Sequence, residues 1–142
     1  MSGRVLGVDV GERRIGLAIS DASRTLARPL STLDVTGAAN AVERVMNAID
    51  ALVADEDGLE TIVIGLPARL DGSATGATPR VQAFVDALRG RTTLKIVTAD
   101  ERLTSREAES RLALNERDWR KRKQKLDAAA AAIILQDYLD RR

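Results

Sequence analysis

The stretch GVDVGERRIGLAISD, residues 7 to 21, places a carboxylate, Asp9, within an otherwise apolar strand and follows it with a glycine turn. Burial of an ionised carboxylate is costly unless a cation or hydrogen-bond donors compensate for the lost water. Asp9 lies near the C-terminal end of the first predicted strand, where open α/β sheets present ligand sites. Gly11 lets the chain turn away without shielding the carboxylate. The stretch favours a metal ligand at Asp9 over a strand-end carboxylate bonded only to backbone amides.

The hydrophobic pattern predicts the order of the elements along the chain. Three β-rich segments separated by tight turns indicate an antiparallel meander, and Pro29 in the third suits an edge strand. Apolar residues then recur at helical spacing from Ala38 to Val53. Two wholly apolar segments follow, TIVIGLP and LKIVTA, and a helical pattern with Pro79 near its start and Gly90 at its end separates them. A strand, helix, strand crossover makes those two strands parallel.

Two further helical patterns lie toward the C-terminal end of the chain. Thr104 and Glu107 fit a capping box that opens one helix. The last helix is predicted to run from around Leu126 through AAAAAIILQDYL and to pack against the sheet. The chain is therefore predicted to be a single α/β domain, residues 1 to 142, with the ribonuclease H-like fold: a five-stranded mixed sheet, three antiparallel strands then two parallel strands, flanked by helices.

The residue types that are absent narrow the chemistry. The chain has no histidine and no cysteine, which excludes Ser-His-Asp and Cys-His nucleophiles and zinc sites built on those ligands. Carboxylate oxygens remain, and oxygen-only sites favour Mg2+ or Mn2+. The N-terminus shows no export signal, and the lack of cysteine leaves no disulfide framework, so we expect a cytoplasmic protein.

Five motifs carry a family resemblance over nearly the whole chain. They are VDVGERRIGLAISD, ARPLSTL, IVIGLPARLDGS, DERLTSREAE and KLDAAAAAIILQDYL, in this order. The chain resembles the YqgF family, whose members are described as Holliday junction resolvases and as pre-16S rRNA nucleases. The resemblance implies a ribonuclease H-like nuclease domain, a divalent metal, a nucleic acid substrate and a cytoplasmic role in ribosomal RNA maturation or junction processing.

The resemblance also implies an acidic metal-binding and catalytic set of Asp9, Glu101 and Asp127. Strand direction and helix face are consistent with it, because Glu101 follows the fifth strand, which is parallel to the first, and Asp127 falls on the same helical arc as Ile134. Asp100 remains the alternative to Glu101, since neighbouring residues at a strand end point to opposite faces.

The chain departs from the junction resolvases proper at the end of the fourth strand. Those enzymes resemble it in fold but place an acidic residue at the end of the fourth strand. Here Leu66 and Pro67 occupy that place, and Asp71 lies several residues farther on. The departure weakens the resolvase assignment more than the nuclease assignment.

Basic residues are predicted to hold the phosphate backbone, because guanidinium groups match phosphate geometry. Two alternatives remain: Arg14 could instead pair with Asp21 in a structural role, and the run RKRKQK could be a solvated surface. Trp119 could stack on a base or simply anchor a loop. The nucleic-acid-binding candidates are Arg13, Arg14, Arg69, Arg102, Arg120, Lys121, Arg122, Lys123 and Lys125.

The function that the resemblance implies is metal-dependent hydrolysis of phosphodiester bonds, with 5'-end processing of pre-16S rRNA in ribosome biogenesis as the leading expectation. Holliday junction resolution, or cleavage of single-stranded DNA or RNA in DNA repair, is the alternative. Symmetrical junction cutting would favour a homodimer. A non-catalytic RNA-binding ribosome assembly factor is a third reading. A sugar-kinase-like nucleotide binder also begins with an Asp-x-Gly turn, but such proteins use two related domains and this chain has room for one.

Overall fold

The computed structural model describes residues 3–67, 76–100 and 119–141, with the side chains of the last range described from residue 128. The strands are β1 (Arg4–Val10), β2 (Arg14–Ser20), β3 (Ala27–Asp34), β4 (Leu59–Leu66) and β5 (Lys95–Asp100). The helices of the described ranges are α1 (Ala38–Ala54), α2 (Thr78–Arg89) and α3 (Trp119–Arg141).

The strands form one five-stranded mixed sheet in the order β3-β2-β1-β4-β5. β1 pairs antiparallel with β2, and β2 with β3, as expected of a meander. β4 lies parallel to β1 on one side and to β5 on the other. The predicted sheet, with three antiparallel strands followed by two parallel ones, is confirmed.

The central strand β1 is covered on both faces. Alternate residues from Leu6 to Val10 enter a cluster of large aliphatic side chains beneath α1 and α2. Val5 belongs to a second cluster beneath α3, and the two-residue period of a strand places Gly7 and Asp9 on that same face. The carboxylate of Asp9 therefore lies on the α3 side of the sheet.

The predicted helix boundaries hold for α1 and α2 but are wrong for the last helix. α2 has Pro79 in its first turn and ends before Gly90, as its sequence indicates. α3 begins at Trp119 rather than near Leu126. The apolar stripe that signals a helix begins only after the basic residues, which are good helix formers but carry no apolar signal. The helix predicted from Thr104 lies outside the described residues.

α3 lies unusually close to the backbone of β1. A Cβ atom built on Gly7 would lie 2.8 Å from Cβ of Leu135 and 2.9 Å from the carbonyl oxygen of Ala131. Farther along the helix, the side-chain amide of Gln136 accepts from the backbone N–H of Ala27 at 2.9 Å and donates to the carbonyl of Thr25 at 2.9 Å. α3 is thus fixed to the middle of β1 and to the start of β3.

β3 forms one edge of the sheet, where Pro29 was predicted to fit. The register with β2 passes from the pair Leu17 and Ser31 to the pair Ala18 and Pro29, so Leu30 is an extra residue in β3. Such a bulge bends the strand and interrupts its ladder. The edge is therefore irregular as well as lacking one N–H donor.

None of the helices in the described ranges combines the length and the apolar character that a membrane crossing requires.

The turn after β2 is closed by the carboxylate of Asp21. Its Oδ1 accepts from the backbone N–H of Thr25 at 2.8 Å and of Leu26 at 3.2 Å, and its Oδ2 accepts from the hydroxyl of Ser23 at 3.0 Å. The hydrogen bonds from Thr25, then Leu26, hold the pKa of Asp21 below its ordinary value of 3.8. Ionised Asp21 therefore stabilises the folded chain.

We expect Asp21→Asn to lower the melting temperature at pH 7 by on the order of 2 °C, because the neutral amide accepts the same hydrogen bonds more weakly. The folded-state pKa is depressed, so the carboxylate's contribution is present above pH 3.8 and is lost as pH falls through the folded value. Melting curves across this range should show the two proteins converging at low pH. Asp57→Asn, in an exposed turn, controls for the loss of one negative charge, and a gap independent of pH would contradict the assignment.

Candidate active site

The site is built around Asp9, which is half-buried near the end of β1. Its partner across the antiparallel ladder is Gly16. On the parallel side, Val8 pairs with Ile64, so the next residue, Gly65, lies beside Asp9. Gly65 in turn pairs with Ala99 of β5. Asp9 thus stands in a row of residues with minimal side chains, Gly16, Gly65 and Ala99.

The turn after Asp9 requires a glycine. The N–H of Gly11 donates to the carbonyl of Arg14 at 2.8 Å, which closes the hairpin between β1 and β2. A Cβ atom at position 11 would lie 2.5 Å from that carbonyl oxygen, so any other residue would force the turn open. This agrees with the prediction that Gly11 lets the chain leave β1 sharply.

The structure separates Asp100 from Asp9. Asp100 ends β5 and pairs with Leu66, and Ile96 of the same strand belongs to the cluster under α1 and α2. Ala99 packs against the α3 cluster instead. By alternation, Asp100 therefore lies on the face opposite Asp9, and it is exposed there. Glu101 lies outside the described residues.

Asp127 lies within α3, one helical turn before Ala131. Its backbone is helical, and its side chain is outside the described part of the chain. Within the described residues, no three acidic side chains come together as a metal site. The convergence of Asp9, Glu101 and Asp127 therefore remains a prediction.

The end of β4 supplies no carboxylate, as the sequence indicates. Val63 belongs to the α3 cluster, so Gly65 is the last residue of β4 on the face of Asp9. The carbonyl of the following Pro67 accepts a hydrogen bond from the hydroxyl of Thr78 at 2.8 Å, which ties the end of β4 to the start of α2. The end of β4 is thus occupied by Leu66 and Pro67 rather than by an acidic residue.

The basic candidates fall into three groups. Arg13 is exposed in the turn between β1 and β2, and Arg14 is half-buried at the start of β2. A pairing of Arg14 with Asp21 is wrong, because the two residues flank opposite ends of β2 and the Asp21 carboxylate accepts from its own turn. Arg69 and Arg102 lie outside the described residues.

The third group occupies the first two turns of α3. The backbone of this segment is helical, although its side chains are not described. The first turn contains no acidic residue. Cations near a helix N-terminus repel its positive end, so this placement disfavours an isolated helix and suits an anionic partner. The group comprises Arg120, Lys121, Arg122, Lys123 and Lys125.

A cavity of about 800 Å³ opens on the other face of the sheet, between α1, α2 and the turn after β1. Its walls are mostly apolar, and Arg13 and Arg80 line it together with Glu12. Val10 forms part of its floor, and alternation along β1 directs Val10 away from the face of Asp9. The cavity and the carboxylate are therefore separate features.

The sequence did not reveal that two glycines, Gly16 and Gly65, flank Asp9 on the neighbouring strands. Gly16 and Gly65 are isolated glycines within strand patterns, which is a signal for close approach of a ligand or of another backbone. Only the register of the sheet shows that both flank the same carboxylate.

Strand order, strand directions and the position of Asp9 together define a ribonuclease H-like protein. Solved structures of this fold match nearly the whole chain. Thermus thermophilus RuvC in complex with a Holliday junction substrate has a TM-score of 0.54 at 14% identity, and the match covers 98% of this chain and 95% of that one. The fowlpox virus Holliday junction resolvase has a TM-score of 0.56 at 11% identity, covering 97% and 98%. At these identities the likeness shows the fold.

The chain belongs to the RuvX family, described as Holliday junction resolvase, which matches residues 3–141. Similar proteins carry the name of a pre-16S rRNA nuclease. One from Chloroflexus aggregans is 44% identical over 97% of this chain and 94% of its own length. Another, from Desulforudis audaxviator, is 37% identical over 98% and 95%. The resemblance to the YqgF family is confirmed, and the protein is a member of a nuclease family.

Proposed function

We propose that this protein is a divalent-metal-dependent nuclease that processes the 5' end of pre-16S rRNA in the cytoplasm. The observation that carries the proposal is the half-buried carboxylate of Asp9 among glycines at the end of the central strand, on the face covered by α3. The names of the full-length relatives support the substrate.

The course of α3 supports Asp127 as a partner of Asp9. Gln136 contacts Ala27, which pairs with Ser20 of β2, and Ser20 lies level with Val5 of β1. Five residues earlier, Ala131 reaches Gly7. Going from Gln136 back to Ala131 along α3 therefore leads from Val5 toward the C-terminal end of β1.

The distances along the two elements agree. One turn back from Ala131 to position 127 covers about 6 Å of helix, and the two residues from Gly7 to Asp9 cover about 7 Å of strand. Position 127 is thus level with Asp9 along the strand. We infer that the two carboxylates bind the same metal site.

The phase of β5 supports Glu101 as the third acidic residue. Ala99 packs on the α3 face and Asp100 lies on the other, and we propose that Glu101 continues this two-residue alternation. The proposed catalytic and metal-binding set is therefore Asp9, Glu101 and Asp127.

The chemistry of the available donors fits Mg2+ or Mn2+. The chain contains neither histidine nor cysteine, so protein ligands at this site are oxygen atoms, which hard divalent ions prefer. Bound ions of this kind supply activation of water and neutralisation of charge on the phosphate. The carboxylates would hold and orient those ions, and the basic first two turns of α3 would hold the nucleic acid backbone.

Holliday junction resolution is the second candidate, favoured by the family description and by the fold of the junction-bound neighbour. The end of β4 counts against it, because Leu66 and Pro67 stand where resolvases are expected to carry an acidic residue. Junction cutting would also call for a homodimer with two active sites.

We expect Asp9→Asn to reduce cleavage by at least about 100-fold while leaving nucleic acid binding intact, because it removes an anionic ligand without changing shape. The assay compares labelled pre-16S leader RNA, single-stranded DNA and a four-way junction, each with Mg2+, Mn2+ or chelator. Preferential cutting of the junction would favour the second candidate.

The matched control is Asp100→Asn, which removes the same charge from the opposite face of the sheet and should retain cleavage within a few-fold. Full activity of Asp9→Asn, or equal losses in both variants, would contradict the assignment.

Replacement of Arg120, Lys121, Arg122 and Lys123 by alanine should weaken binding of all sequences alike. Removal of each phosphate-binding cation should reduce the log-log salt slope by about 0.7 on single strands. Fluorescence anisotropy at several salt concentrations measures that slope, and circular dichroism confirms that α3 remains helical. An unchanged slope in the folded variant would identify the run as a solvated surface.

A further inference from the structure

We propose that Gly7 is a positioning residue for the active site: its lack of a side chain sets the separation of α3 from β1, and so holds the Asp127 position within reach of the metal at Asp9. This inference rests on the proposed function and assigns a role to a residue that contacts neither metal nor substrate.

The contact at Gly7 leaves no space for a methyl group. The added Cβ would lie 2.8 Å from Leu135 Cβ and 2.9 Å from the carbonyl oxygen of Ala131. Neither atom is the movable end of a long side chain, because one is bonded directly to the helix backbone and the other belongs to it. Ala131 and Leu135 are both 0% exposed, so their neighbours hold them in place. Relief of the conflict therefore requires movement of α3 itself.

The size of that movement exceeds what a metal site tolerates. The Leu135 contact must lengthen from 2.8 Å to the 3.4 Å or more of ordinary van der Waals contact. Metal–ligand distances vary by only about 0.2 Å. Position 127 lies one turn from the contact, within the same continuous helix. A shift of α3 at Gly7 is therefore transmitted to position 127, while Asp9 stays with the sheet.

A second closely packed glycine, Gly3, provides a control that distinguishes the proposed positioning role from ordinary packing. Gly3 lies immediately before β1, and a Cβ there would be 3.0 Å from the backbone nitrogen of Glu60 and 3.0 Å from the backbone carbon of Leu59. Its close neighbours belong to β4 rather than to α3. Gly3→Ala therefore strains the fold at the far end of β1 without pushing the helix.

The test is a calorimetric titration of the purified full-length protein with Mn2+ alone, on wild type, Gly7→Ala, Gly3→Ala and Asp9→Asn. We expect Gly7→Ala to weaken Mn2+ binding at least about tenfold and Gly3→Ala to leave it within twofold, although both lower the melting temperature. Binding of labelled RNA in chelator should be unchanged in Gly7→Ala. Wild-type Mn2+ affinity in folded Gly7→Ala overturns the positioning role.

The same titration distinguishes failure of this inference from failure of the proposed function. Wild-type Mn2+ binding that Asp9→Asn fails to weaken overturns the proposed metal site, and the role of Gly7 with it. Binding that depends on Asp9 but is unaffected by Gly7→Ala overturns the role of Gly7 alone. Equal loss of affinity in Gly3→Ala and Gly7→Ala also overturns it, because general destabilisation then explains both.

Ala131→Val tests the same separation from the helix side should Gly7→Ala fail to fold. Ala131 is buried in the layer under α3 and makes the Gly7 contact through its carbonyl oxygen, and two methyl groups added to its side chain enlarge the helix in that layer. We expect the same loss of Mn2+ affinity, and unchanged affinity in this folded variant refutes the proposal equally.

Discussion

A helix can lie against the backbone of a strand only where the strand carries no side chain, and the contact of α3 with Gly7 meets that condition. The two faces of the sheet differ accordingly. Large aliphatic residues fill the space under α1 and α2, whereas alanines are frequent in the layer under α3, among them Ala18 of β2 and Ala131 of the helix. Small residues permit close approach of the helix to the sheet on this face. The alanine-rich last motif is thus explained by packing distance as well as by helix propensity.

Much of the fold could be predicted because each element carries its own periodic signal. The meander, the crossover of β4, α2 and β5, and the edge position of Pro29 all follow from local patterns. The start of α3 could not be predicted in the same way, because its first two turns are rich in basic residues and carry no apolar stripe in the sequence. The supposed pairing of Arg14 with Asp21 failed for a related reason: proximity in sequence across a strand means separation in space by the length of that strand.

The candidate site was predictable in its chemistry but not in its geometry. Asp9 stands out because a carboxylate within an apolar strand is costly, whereas the choice between Asp100 and Glu101 depends on the phase of β5, which becomes visible only when Ile96 and Ala99 are assigned to opposite faces. Gly16 and Gly65 attract no attention singly. Their meaning comes from register, since each lies beside the same aspartate on a different strand.

The irregular edge of β3 affects how this protein behaves at high concentration. Leu26 and Leu30 expose apolar surface there, 64% and 36% respectively, which alone would make the edge adhesive. A second strand, however, needs a regular ladder of donors and acceptors along the edge, and Pro29 with the bulge at Leu30 interrupts that ladder within β3. This edge of the sheet therefore has a barrier to growth by strand addition, so that contact through its exposed leucines need not extend the β-structure.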